Sequence, residues 1–216
     1  MNITEILAAI RFRLGNKKGF DNDILREINY AQQRLEDDPT IDYWFLVRFG
    51  AFSLTAGDNT VTIPSDFVRE YDGYPPYLTL NERVVHLDKM DLPDAQIVYG
   101  DSTGVPEAYT VVDGEVKVYP KPDQNYVLTF PYVGRETTLD GVSVLENGWT
   151  KNATQVLLNK AGIALAQAFR DQDALANFTA DYQVAFSELM TRVVAREEAN
   201  MARERGGRTD AFRKYY

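Results

Sequence analysis

The sequence predicts an α+β protein, mainly an α-helical bundle with long C-terminal helices and an inserted small antiparallel β unit. Three observations lead to it. Apolar residues recur at helical spacing near the N-terminus, with Ile3, Ile6, Leu7, Ile10 and Leu14 on one stripe. The period then falls to two between about Phe52 and Val133. From Gly148 onward the helical period returns and runs for most of the remaining chain.

The first helix stops at Gly15. The second is read in DNDILREINYAQQRLEDDP, with Ile24, Leu25, Ile28, Ala31 and Leu35 as its apolar stripe. Asp21 or Asn22 can accept bonds from the free amides of its first turn, and Pro39 ends it. Tyr43–Val47 is a dense aromatic and aliphatic patch suited to core packing or the lead into a strand. Alternation at Val61/Ile63, Leu78/Leu80, Val84–Leu87, Tyr109/Val111, Val116/Val118 and Tyr126–Tyr132 marks strands, and Ala95–Tyr99 reads as another short one. Asp113-Gly114 is a two-residue hairpin signal, because a type I′ turn needs positive φ at both positions. Pro131 cannot donate to a ladder, so its strand is expected at a sheet edge or to end there.

Beyond Trp149-Thr150, Val156, Leu157, Ala161, Ala164, Leu165, Ala168 and Phe169 mark a helix that Asp171–Asp173 breaks. Leu175, Phe178, Tyr182, Phe186, Leu189 and Val193 then form a seam of coiled-coil type, continuing to about Arg205. Gly206-Gly207 is expected to stop it. The expected divisions are N-terminal helices over 1–50, an antiparallel β domain over 51–148, C-terminal helices over 149–205 and a tail over 206–216.

The chain has 216 residues, 44% of them hydrophobic, which suits one or two compact units with a real core. It contains no cysteine, so disulfides, thiolate nucleophiles and zinc–thiolate sites are excluded. MNITEILAAIRFRLG carries charge inside its apolar run and reads as an amphipathic helix, not a signal peptide. No run approaches the roughly 18 apolar residues of a membrane span, and a soluble protein is expected. The net charge of −9 is uneven. Residues 192–216 hold seven basic and four acidic side chains, a net +3 that leaves −12 for residues 1–191. An acidic body disfavours tight DNA binding, whereas the basic tail fits an acidic surface such as that of a protein.

No arrangement of residues points to catalysis. His86, the single histidine, sits on a strand beside Val84 and reads as structural. There is no P-loop and no dinucleotide fingerprint. The pairs Asp21/Asp23, Asp37/Asp38 and Asp171/Asp173 could in principle hold a metal, but each flanks a helix end where Asp caps amides or faces water. Tyr71, Tyr74 and Tyr77 share one proline-containing loop, which reads either as a protein-contact surface or as a packed aromatic turn. The terminal FRKYY offers aromatic anchors with cationic neighbours.

Several strings occur in a telling order: DNDILREINYAQQRLED, Trp44, IPSDF, GVPEAY at Gly104–Tyr109, and DGEVKVYPKPDQNYVLTFPYVGR at Asp113–Arg135. NGWTKNATQVLLNKAGIALAQAFRDQDALANFTADYQVAFSEL follows. Over most of residues 20–195 the chain resembles the head-to-tail adaptor (connector, or head-completion) proteins of tailed bacteriophages. In that family a G-x-P-x-x-Y stretch leads into a G-x-[IV]-x-[LV]-x-P-x-P-D hairpin. An N-x-W helix start and a late Y-x-x-A-x-x-x-L helix come after it.

The resemblance implies a structural virion protein with no enzyme activity, cofactor, metal or catalytic residue, in which the hairpin is shared scaffold. It implies a homo-oligomeric ring, usually of twelve copies, beneath the portal, and so a place at the head–tail interface of the virion after assembly in the host cytoplasm. The ring would extend the channel through which genomic DNA passes without specific binding, would carry downstream tail or nozzle proteins, and would involve no membrane. It would reach the portal through C-terminal tails, here Arg203, Arg205, Arg208, Phe212, Arg213, Lys214, Tyr215 and Tyr216. No family motif covers Tyr71, Tyr74 and Tyr77, which are therefore assigned to this protein's own platform for tail proteins. The alternatives are a tail-completion protein further from the portal and a tail-associated peptidoglycan hydrolase.

Overall fold

The structure is a computed structural model that describes residues 1–16, 19–80 and 83–213; beyond residue 196, side chains are described at 198 only. The chain divides into two compact units, Met1–Leu46 with Glu136–Tyr216, and Val47–Arg135. In chain order the first unit opens with helices α1 (Ile3–Arg13) and α2 (Asp21–Glu36). The second holds β1 (Val47–Leu54), β2 (Thr60–Thr62), β3 (Phe67–Glu70), β4 (Tyr77–Leu80), β5 (Arg83–His86), β6 (Asp88–Lys89), α3 (Leu92–Tyr99), β7 (Thr103–Gly104), β8 (Ala108–Val112), β9 (Glu115–Tyr119), β10 (Lys121–Pro122) and β11 (Tyr126–Gly134). The first unit resumes with α4 (Gly148–Asn152), α5 (Thr154–Phe169) and α6 (Gln172–Arg213).

The protein is therefore not mainly a helical bundle with a small β insert. Eleven strands in three sheets stand beside six helices among the described residues. The physical reason is that the β unit buries a core of its own. Leu54, Leu78, Val118, Leu128 and Phe130 are each 2% exposed or less, and Tyr109 and Tyr126 close around them. Its largest sheet runs β1-β11-β4-β5, with β3 also paired to β11. A second sheet runs β2-β9-β8-β6, and β10 pairs with β7. Asp113 and Gly114 both take positive φ (53° and 77°), the two-residue turn that joins β8 to β9.

Three local expectations are corrected. Ala95–Tyr99 belongs to α3, not to a strand, because Pro93 sits in the first turn, where its missing N–H costs nothing. Pro131 lies in β11, which is central to the largest sheet. Its carbonyl accepts from the Tyr71 N–H, and in a strand the N and O of one residue point the same way. The missing donor therefore faces the gap where the β4 pairing at Leu128 and Thr129 gives way to the β3 pairing at Tyr132. Finally, α6 continues through Gly206-Gly207 to Arg213. Each glycine costs about 1 kcal/mol in a helix interior, which an established helix can absorb.

Within the helical unit, Asn2 and Glu5 close a capping box on α1, whose Ile3, Ile6 and Ile10 are fully buried. The first turn of α2 has no side-chain cap; Asp21 instead pairs with Arg11 at 2.6 Å. Asp171 accepts the Ala174 N–H at the start of α6. The buried stripe of α6 is Ala174, Phe178, Ala185, Leu189 and Val193, so Leu175, Tyr182 and Phe186 of the expected seam lie on its half-buried flank. Phe178 packs so closely on Gly162 that a Cβ there would meet its ring at 2.4 Å. The Arg13 guanidinium lies over that ring at 4.0 Å and bonds Asn159 and Asp181.

The least expected feature is a buried polar hub. Glu36 is 1% exposed and accepts from Trp149 Nε1 (2.8 Å) and from the Glu136 N–H (3.2 Å). Gln32, one turn earlier, donates to the Glu136 carbonyl and accepts from Asn147 Nδ2. Asn147 also caps α4 through a capping box with Thr150. Tyr43 and Phe45 pack edge-on against the fully buried Trp149 ring.

Two predictions follow from these contacts. Trp149→Phe keeps the ring but removes the donor that Glu36 receives, and should cost about 1–3 kcal/mol in urea unfolding; a loss below about 0.5 kcal/mol would show that the hub is not needed. In the β unit, burial and the Glu70 carboxylate, which accepts the Tyr109 hydroxyl at 2.9 Å, hold that phenol neutral well above its usual value. Because the unfolded chain ionises first, near pH 10, this stabilisation is complete below about pH 10 and is lost as pH rises further. The stability gap between wild type and Tyr109→Phe should therefore narrow above pH 10; a gap that stays constant from pH 8 to 11 contradicts it.

Candidate functional site

The largest sheet presents one face to its own core and one away from it. Alternation places Arg48, Gly50, Phe52 and Leu54 of β1 on the core side and Phe49, Ala51 and Ser53 on the other. The register carries that outer side across the sheet. One row runs Ala51–Thr129–Tyr77–His86. Flanking it are Phe49 opposite Pro131, Ser53 opposite Val127, and Thr79 opposite Val84. These ten positions hold no Lys, Arg, Asp or Glu, although charged residues make up 25% of the chain and about two or three would be expected; beyond them on the same side, β3 places Arg69 opposite Val133.

At one corner the face is aromatic. The Tyr74 ring lies 6.2 Å from Phe49, 5.7 Å from Tyr77 and 5.3 Å from His86, each edge-on. Edge-on geometry sets the positive rim of one ring against the negative face of the next, which favours such clusters. Phe49 is 56% exposed and Val84 49%, so the cluster is a surface feature. Toward the other end, Ser53, Thr55, Thr79, Gln124, Asn125 and Val127 line an open groove of about 420 Å³. It offers hydroxyls and carboxamides, again without charge.

The sequence-assigned platform residues are thus partly brought together. Tyr74 and Tyr77 meet in the cluster, whereas Tyr71 folds against Gly73. Phe49 and His86 complete the cluster and had not been singled out for it. The signal was present in the run Phe49–Leu54, whose lack of charge is unusual for a half-exposed strand. The assigned tail residues Arg203, Arg205, Arg208, Phe212 and Arg213 fall on the last part of α6, with side chains outside the described residues; Lys214, Tyr215 and Tyr216 lie outside them altogether. Nearer the body, the guanidinium groups of Arg196 (4.6 Å) and Arg192 (5.7 Å) stack on the Trp44 ring and tie α6 to the segment after α2.

Nothing in this surface resembles a reaction centre. The Asp pairs are engaged locally: Asp23 with Arg26, Asp38 with the Thr40 N–H, Asp171 with Ala174. Among the described residues no group of three or more His, Asp or Glu could hold a metal ion, and no helix is long and apolar enough to cross a membrane. The ten positions thus form an uncharged patch with an aromatic corner, the composition that enriches interface cores, where tyrosine and phenylalanine supply area at low entropic cost.

The family model described as SU10 adaptor protein matches residues 1–209 of the chain. No curated protein matches it.

The face should behave as surface and not as core. Tyr74→Ala is expected to change stability by no more than about 1 kcal/mol, whereas Leu128→Ala, fully buried beneath the same sheet, should cost about 2–5 kcal/mol. Equal losses in thermal melts would place Tyr74 in the folding core instead.

Proposed function

The chain belongs to the SU10 adaptor protein family, and on that premise we propose that it is a structural virion protein forming a ring, of twelve copies, beneath the portal. The ring extends the DNA channel and carries the tail proteins. The observation that supports this most is the family match over nearly the whole chain. The uncharged patch on the outer side of β1, β11, β4 and β5, with Tyr74, Tyr77, Phe49 and His86 at its corner, is the platform on which a tail protein sits. Residues 1–191 carry a net −12, which keeps DNA sliding through the channel without adhering. The +3 segment from residue 192 onward is the end that reaches an acidic surface of the portal.

Deleting residues 207–216 tests the portal assignment. The truncated protein should keep its helical circular dichroism and melting temperature while losing most of its co-sedimentation with purified portal particles. Undiminished binding removes the tail from the interface. Binding to purified tails but not to portals, by the full chain, would favour a tail-completion position instead.

A further inference from the structure

Along its main path the largest sheet ends in strands with no further strand partner among the described residues, β1 on one side and β5 on the other, while β3, off this path, pairs with β11 alone. Every neighbouring pair in the path β1-β11-β4-β5 is antiparallel. With four strands in the path, β1 and β5 run in opposite directions. A second copy set beside the first in the same orientation therefore brings its β5 alongside β1 antiparallel, which is the pairing the rest of the sheet already uses. An odd number of strands would have made that contact parallel.

The two edges differ in a way that matters. β1 is eight residues long and contains neither Pro nor Lys, the devices that usually keep an exposed edge unpaired. β5 has four residues, so one contact between copies is a short ladder. Charge also favours this approach. A chain of net −9 repels its own copies, yet on β1 and β5 the charged side chains are Arg48 and Arg83 alone. Both lie on the core-side register, and Arg48 is already paired with Asp66 at 2.6 Å. Two copies meeting here bring no carboxylates of these strands together, and the uncharged rows across β1, β11, β4 and β5 join into one band.

We propose that β1 of one copy pairs antiparallel with β5 of the next, so that the sheet continues from subunit to subunit. The inference rests on the ring reading above and names the surface that closes the ring. A contact joining two different patches is head-to-tail, the type that generates closed rings when the rotation closes. Because each single contact is short, the assembly gains its strength on closure, when every copy makes two.

The absence of cysteine provides a clean test. Ser53→Cys and Val84→Cys place thiols on the same outer face at opposite edges. Within one chain they are three strand spacings apart, roughly 14 Å, too far for an intrachain disulfide, whose Cα atoms must come within about 7 Å. Purified S53C/V84C protein would be oxidised, or treated with a short bis-maleimide, alone and with portal particles. A ladder of covalent multimers is expected, whereas an equimolar mixture of the two single variants should stop at the dimer. Ala51→Cys with His86→Cys, the adjacent row, gives the same readout should the first pair misfold. Multimers seen by light scattering without a ladder overturn the strand contact and leave the ring reading standing. Absence of both multimers and ladder, with and without portals, overturns both.

Discussion

The structure depends most on a carboxylate that has no business being buried unless it is bonded. Glu36 closes α2 with 1% exposure, and it accepts from Trp149 Nε1 and from the Glu136 backbone. A buried acid without such donors would cost several kcal/mol, so these partners are obligatory. They also sit at a topologically decisive place. The chain leaves the helical unit at Leu46 and returns at Glu136. The hub grips the returning segment at its first residue, and Gln32 and Asn147 extend the grip to the start of α4. The helical unit can thus be discontinuous in sequence and still close its core.

The β unit solves the same problem by a different route. It buries Leu54, Leu78, Leu128 and Phe130 beneath one sheet and satisfies its inward phenols with acids, Tyr109 on Glu70 and Tyr132 on Asp66. Ionic groups are thereby gathered on the core side, where Arg48 also pairs with Asp66. What remains on the outer side of β1, β11, β4 and β5 is a patch without charge, with Arg69 of β3 beyond it.

Much of this was legible in the sequence. Helical spacing located α1, α2, α5 and the start of α6, and Asp113-Gly114 marked its turn correctly. The misreadings have physical causes. The β content exceeds what the alternation from Phe52 implies, because β1 already begins at Val47 and several strands are only two to four residues long. α3 was hidden because Ile97, Val98 and Tyr99 are strand formers, and Pro93 as a first-turn residue outweighed them. Pro131 misled because a central strand can still offer a local gap between two partners. The hub was invisible: nothing local distinguishes Glu36 from the neighbouring acids Asp37 and Asp38, and its partners lie a hundred residues away. The aromatic corner was half legible, since Tyr74 and Tyr77 share a loop but Phe49 and His86 reach them only through sheet register.

The proposed ring on a portal template is tested most directly by the light-scattering mass of the purified protein, alone and after mixing with its portal ring. A portal-bound complex gaining the mass of about a dozen subunits, to which each copy adds two sheet edges, is the predicted result. A stable monomer in both conditions, with no mass added to the portal, would contradict it.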